Sequence, residues 1–262
     1  MTATGNASPT PRPSEWDGSA YDRLADPQAR WGRAVLDRLV LSGNETVLDA
    51  GCGSGRVTEE LLDRLPVGRV VALDASTSML DEARRRLTSR QDQVRFVHAD
   101  LLDLGPACLG DDHPLDAIFS TATFHWVTDH DLLFANLASV LRPGGQLVAQ
   151  CGAEGNIGGL LSTVHSLGVD RAGTWLYASV DETVSRLEGE RFVEIDVWTN
   201  PEPTHFDDPD RLTQFLSTVI LREHLATLPE EERRPFVERV VTAMPEPVID
   251  YVRLNIVAKR GE

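Results

Sequence analysis

The residues best suited to chemistry begin at Asp49-Ala-Gly51-Cys-Gly53-Ser-Gly55, which opens at the end of the apolar run 46–50. Glycines at alternate positions let backbone come close to a ligand and take up dihedral angles that a Cβ forbids. Asp74 ends the next apolar run, 23 residues after Gly51, where an acid accepts hydrogen bonds from a ribose diol. The dinucleotide fingerprint G-x-G-x-x-G would place its third glycine at position 56, and that residue is Arg56. An acid beside the loop, Asp49, suits an ammonium or sulfonium ligand better than a pyrophosphate. Attraction between unit charges in a partly buried site is worth a few kcal/mol. S-adenosylmethionine (SAM) has a ribose, an amino-acid head and a cationic sulfur, and no phosphate. It is the expected cofactor. NAD, and with it an oxidoreductase, is the distant alternative, and a nucleotide-binding module without activity is a third.

Two further residues stand out. His125 follows the fourth apolar run, 115–120, at the end of an open α/β sheet where ligands bind. With an ordinary pKa of about 6.5 it is the catalytic candidate, as a general base toward a hydroxyl or amine. Holding a substrate carboxylate and packing in the core are its other readings. Trp126 beside it is expected to wall the cofactor site. Arg253 lies in the alternating run 248–259 among Val and Ile. A buried arginine needs an anionic partner, either an internal acid or the carboxylate of a substrate. Cys52 is expected to fill a tight turn.

The elements that must position these groups alternate. Strands are expected at 46–50, 69–74, 94–100, 115–120 and 146–150, separated by helices at 57–65, after Ser76 as N-cap, and over 131–140. Compact apolar strands spaced by helices indicate a parallel, doubly wound α/β sheet. An earlier helix carries Trp31, Val35, Leu36, Leu39 and Val40 at helical spacing. After Gln150 the rhythm changes. Helices are expected near 208–226 and 229–244, each with a proline at its start (Pro209, Pro229), and strands at 191–198 and 248–259. Residues 1–14, with Pro9, Pro11 and Pro13, read as a disordered tail.

Composition narrows the classes. With 262 residues, 41% of them apolar, the chain can bury a sizeable core. The 25 Lys+Arg stand against 41 Asp+Glu, a formal charge of −16, which argues against a nucleic-acid or anionic-membrane partner. Cys52, Cys108 and Cys151 show no zinc spacing and cannot all pair. No metal is expected. No stretch is long and apolar enough to span a bilayer, and the first residues lack the features of a signal peptide. A cytoplasmic location is expected.

In order and spacing, VLDAGCGSG (47–55), Asp74, His98-Ala-Asp100 and LRPGGQL (141–147) resemble four successive motifs of the class I SAM-dependent methyltransferases. Phe124-His125-Trp126-Val127 with Asp129-His130, the ending Tyr251-Val-Arg253-Leu, and the opening Trp16…Tyr21…Ala25-Asp26…Arg30 are similar to its trans-aconitate methyltransferase-like group. Gln28 stands where that group would carry an arginine, and His125 where the namesake has a glutamine. The resemblance implies a seven-stranded, mostly parallel Rossmann-like sheet whose last strand returns antiparallel. It further implies one domain over 15–262, a lid helix over about 15–42, and a helical cap from about 153–189 and 207–246. Cofactor contacts are implied for Tyr21, Arg30, Asp49, Gly51, Gly53, Gly55, Asp74, Ala75, Met79, Asp100, Leu101, Thr121 and Trp126, with Asp100 reading the adenine amino group. Substrate contacts are implied for Trp16, Tyr21, His125 and Arg253. The implied activity is methyl transfer from SAM to a small organic acceptor, a carboxylate oxygen first and a hydroxyl or carbon second.

Overall fold

The computed structural model describes residues 26–169 and 173–262. Helix α1 (Asp26–Leu36) leads into the alternation β1 (Thr46–Ala50), α2 (Arg56–Asp63), β2 (Arg69–Asp74), α3 (Thr77–Arg86), β3 (Val94–His98), β4 (Leu115–Thr121), α4 (His130–Val140) and β5 (Leu141–Gly152). Then come α5 (Gly158–Ser166), α6 (Val180–Gly189), β6 (Phe192–Pro201), β7 (Thr204–His205), α7 (Pro209–Phe215), α8 (Glu230–Ala243), β8 (Val248–Ile249) and β9 (Val252–Arg260). The main sheet has seven strands in the order β3-β2-β1-β4-β5-β9-β6. Strands β1 to β5 pair in parallel, and β9 runs antiparallel between β5 and β6. The expected architecture, including the returning last strand, is the one found.

Both faces of the sheet are covered, which is why β1, β2 and β4 are continuous apolar runs. On one face Val35, Leu36, Leu61, Leu62 and Leu80 of α1 to α3 pack with Val47, Val70 and Phe119. On the other, Leu133, Phe134 and Leu137 of α4 and Leu187 of α6 pack with Leu48, Val71 and Ile118. A third core joins Trp31 and Tyr251 to Leu160, Leu212, Phe215, Val237 and Val240, forming a helical cap. Ser76 caps α3 as expected, its hydroxyl accepting the Met79 N–H at 3.3 Å.

Several elements differ from the sequence reading, each for a physical reason. The helix over 180–189 is no part of the cap core, because its Thr183 and Leu187 turn inward and it packs on β6 and α4. Val40 is 77% exposed because the helix ends at Leu36, so the helical spacing no longer applies to it. The expected helix over 208–226 breaks: α7 gives way to a π-helical stretch, Leu216–Ile220, and then a single turn, Arg222–Leu225. The extra residue per turn there turns Val219 and Ile220 inward. Strand β5 starts at Leu141 and carries Arg142-Pro-Gly144 as an exposed lead-in. The terminal run splits at Asp250-Tyr251 into β8 and β9. Among the described residues no helix is long and apolar enough to cross a membrane.

The chain moves from β1 outward to β3, then returns to β4 on the other side of β1. Such a switch point opens a crevice beyond the carboxyl ends of the two strands. The glycine loop follows β1 and His125 follows β4, so the topology brings the two sequence signals to one crevice.

Candidate functional site

The glycine loop is fixed to β2 by two backbone bonds, since the N–H groups of Gly51 and Cys52 both donate to the Leu73 carbonyl at 2.8 and 2.9 Å. Gly51 has φ +84°, and a Cβ on it would fall 2.2 Å from Thr123 Oγ1. Gly53 also has a positive φ, but nothing lies within 4 Å of the place its Cβ would take. One glycine therefore admits the β4 loop, and the next leaves an open cradle. Asp74 spans the cradle's rim: one carboxylate oxygen accepts the Gly53 N–H at 2.9 Å and the other accepts Ser76 N–H at 2.9 Å. A carboxylate oxygen can accept more than one donor, so Asp74 retains the capacity to bind a diol.

The neighbouring expected contacts fall around this rim. Ala75 is exposed directly after Asp74, while Met79 and Leu101 are buried. Asp100 accepts the Leu102 N–H at 2.9 Å, and Asn136 of α4 holds the Leu101 and Leu102 carbonyls at 3.0 and 2.9 Å. The carbonyl of Thr121 takes the Thr123 hydroxyl at 3.0 Å. A cradle open at Gly53, an acid at the end of β2 and a second acid after β3 fit an adenosyl group carrying no phosphate.

Asp49 stands elsewhere than the sequence reading placed it. Alternation along β1 turns Asp49 to the same side as Val47, under α2. Its carboxylate is buried and accepts the Thr58 hydroxyl at 2.6 Å. Burial, with a smaller contribution from the Asp74 charge, pushes its pKa up to about 7 against the lowering effect of Thr58. The fold thus prefers the protonated acid; that stability is fully present below about pH 4 and is lost as the pH rises through about 7. A tenfold change in an acid's dissociation constant is worth about 1.4 kcal/mol. Asp49→Asn is expected to match the wild type in thermal stability near pH 4 and to exceed it above pH 7. A melting temperature for Asp49→Asn that does not pull ahead between those pH values would contradict this placement.

On the other side of the β4 loop lies a small, partly open cavity. Ala122, held at φ +56°, His125 and Trp126 form one wall. Trp31 of α1, Trp175, Tyr177, Tyr251 and the π-helical Val219 and Ile220 form the others, and Arg253 reaches in from β9. No Asp or Glu lines it among the described residues. Arg253 is opposite Gly152 at the end of β5. It is 2% exposed, its guanidinium lies 4.5 Å over the Trp31 ring, and its Nε donates to Gln150 at 3.4 Å.

A buried amide relay supports that arginine. Gln150 donates to Asn255 Oδ1 at 2.7 Å, which also accepts from Arg38 at 2.7 Å. Asn255 in turn donates to Asn200 at 2.6 Å, and Asn200 to Glu202 at 2.9 Å. Glu202 closes the relay by accepting from Trp31 Nε1 at 3.3 Å. Arg30 also pairs with Glu202, at 3.2 Å and exposed, so its neighbour Trp31 is the residue that reaches the cavity.

His125 is 8% exposed, and its pKa is held well below 6.5 by burial first, then by the charges of Arg253 and His130. Its Nδ1 accepts the Gly152 N–H at 3.4 Å. The neutral ring therefore carries its hydrogen on Nε2. Burial likewise pushes the Tyr177 phenol above its ordinary range, and its hydroxyl bonds to Asn156. The cavity offers hydrogen-bond donors and one buried cation.

The site gathers Gly51, Gly53, Asp74, His125, Trp126 and Arg253 at one crevice. Trp16 and Tyr21 lie outside the described residues. Missing from the expected site residues were, among others, Trp31, Trp175, Tyr177, Val219, Ile220 and Tyr251. A signal existed for two of them: Trp175 and Tyr177 are two residues apart, so in extended chain they share a side. Among the described residues no group of His, Cys, Asp and Glu is placed to hold a metal ion.

The chain is similar to known methyltransferases in sequence and in fold. Residues 47–145 match a family model described as a methyltransferase domain. The trans-aconitate 2-methyltransferase of Azoarcus sp. (strain BH72) is 31% identical over 235 residues, covering 83% of this chain and 84% of the relative. That of Escherichia coli (strain 55989 / EAEC) is 30% identical over 267 aligned positions, covering 95% and 100%. Among solved structures, Haemonchus contortus phosphoethanolamine N-methyltransferase 2 in complex with S-adenosyl-L-methionine superposes with a TM-score of 0.63 at 17% identity, covering 94% of this chain and 57% of that one. The YcgJ protein of Bacillus subtilis superposes at 0.61 with 17% identity, covering 89% and 99%. The two structures share the fold.

Proposed function

Because the chain belongs to the trans-aconitate methyltransferase group of the class I SAM-dependent methyltransferases, enzymes that methylate small molecules, we propose that it esterifies a carboxylate oxygen of a small organic acid. Bound SAM supplies a methyl group already activated on a sulfonium. Gly53, Asp74 and Asp100 would hold the adenosyl part, and Asp49, buried behind the loop, would act through α2 and Thr58. What remains for the chain is to orient a nucleophile and exclude water.

One observation carries the carboxylate reading: a buried guanidinium lies in a cavity whose described lining has no acid and no competent base. A carboxylate is ionised at pH 7 and needs no proton removed. A hydroxyl or carbon acceptor needs a base, and His125 serves poorly as one. It is neutral with a depressed pKa, and its Nδ1 lone pair is engaged by Gly152. Its Nε2–H suits a donor to a carboxylate oxygen instead.

Turnover should therefore be flat from about pH 6.5 to 9, since an acid with a pKa near 4 is fully ionised throughout. His125→Ala should raise KM more than it lowers kcat, because it removes positioning and not proton transfer. A rise of the wild-type rate through a pKa of about 6–7, together with a hundredfold loss of kcat in the variant, would replace this reading with a base-dependent acceptor.

A further inference from the structure

We infer that the acceptor is a monocarboxylic acid with a flat, apolar body. The inference rests on the carboxylate reading above and is carried by two features of the cavity. The first is its charge. Among the described lining residues Arg253 is the one cation, since His125 is held neutral. A second or third carboxylate would enter a space walled by Trp175, Tyr177, Tyr251, Val219 and Ile220. Burying an ionised carboxylate with no cation beside it costs several kcal/mol, so each additional acid group counts against the ligand.

The second feature is the shape of the walls. The rings of Trp175 and Tyr177 lie 5.9 Å apart and within 11° of parallel. His125 continues the row, 5.9 Å from Tyr177 at 27°. Beside them Trp126 packs edge-on against Trp175 at 5.9 Å. Aromatic faces and edges set around a small, partly open space favour a conjugated or aromatic body over a branched, hydrated one. With its carboxylate at Arg253, such an acid would bury its apolar part against these rings. This differs from a tricarboxylate, the substrate in the relatives' name.

The test is a panel of acids given to the full-length protein with SAM. It comprises aromatic and unsaturated monocarboxylates such as benzoate and cinnamate, short aliphatic acids, and di- and tricarboxylates including trans-aconitate. Binding is read independently by tryptophan fluorescence in the presence of S-adenosylhomocysteine. Aromatic monocarboxylates should exceed trans-aconitate by about a hundredfold in kcat/KM and bind more tightly. Trp175→Ala should weaken the aromatic acid about tenfold or more while leaving S-adenosylhomocysteine affinity unchanged. A tricarboxylate esterified as well as or better than the aromatic acids would overturn this inference and leave the carboxylate reading standing. Methylation of hydroxyl compounds with no acid esterified would overturn both.

Discussion

Arg253→Met is expected to lower kcat/KM for a carboxylic acid by about a hundredfold or more, because truncating one partner of a buried charge pair costs roughly 2–5 kcal/mol. Methionine keeps an unbranched side chain beneath Trp31, so packing in the cap core changes little. S-adenosylhomocysteine affinity should stay at the wild-type level, since Arg253 lies across the β4 loop from the glycine cradle. Arg253→Lys should recover only part of the loss. An ammonium is a point charge and does not reproduce the planar fork that grips both oxygens, nor the flat contact with Trp31. An Arg253→Met enzyme with unchanged KM for its acid would remove the guanidinium from substrate binding.

Asp74→Ala carries the second large effect, on the other ligand. Two ribose hydroxyls lose a charged acceptor, worth on the order of 2–3 kcal/mol, or about 30- to 150-fold in S-adenosylhomocysteine affinity. Asp74 also ties Gly53 and Ser76 together, so the cradle itself loosens and the lower figure is the minimum expected. The sheet should survive, because Asp74 stands at the end of β2 beyond its buried residues. Calorimetric titration of a cooperatively folded variant measures this, and wild-type affinity would place the ribose elsewhere.

The glycine loop, Asp74 and the strand–helix rhythm were legible because each is local. A strand, a turn and a helix start fall within a dozen residues, and their glycines and caps act on immediate neighbours. Asp49 shows where local reading stops. Beside the loop in sequence, it faces away from the loop's ligand side because β1 alternates. Its partner is Thr58, nine residues on, a contact that depends on how α2 settles on the sheet.

The cavity was harder to read. Trp31, His125, Trp175, Val219 and Tyr251 come from five separate segments, joined only once β9 inserts between β5 and β6 and the cap folds over their ends. The π-helical stretch that turns Val219 and Ile220 inward carries no proline or glycine to announce it. Gln150 and Asn255 look like interruptions of apolar strands. Their reason, a relay from Arg253 to Trp31 of α1, spans more than two hundred residues of chain.

Esterification of a carboxylate through SAM can be followed by the fate of the transferred methyl group. The protein is incubated with methyl-labelled SAM and an acid that it methylates, and the product is then treated with mild alkali. An ester releases its label as volatile methanol, so label should pass to the acid and be released almost completely by alkali. Label that is transferred but stays bound under alkali would mark a methyl ether, amine or carbon–carbon bond, and would contradict esterification.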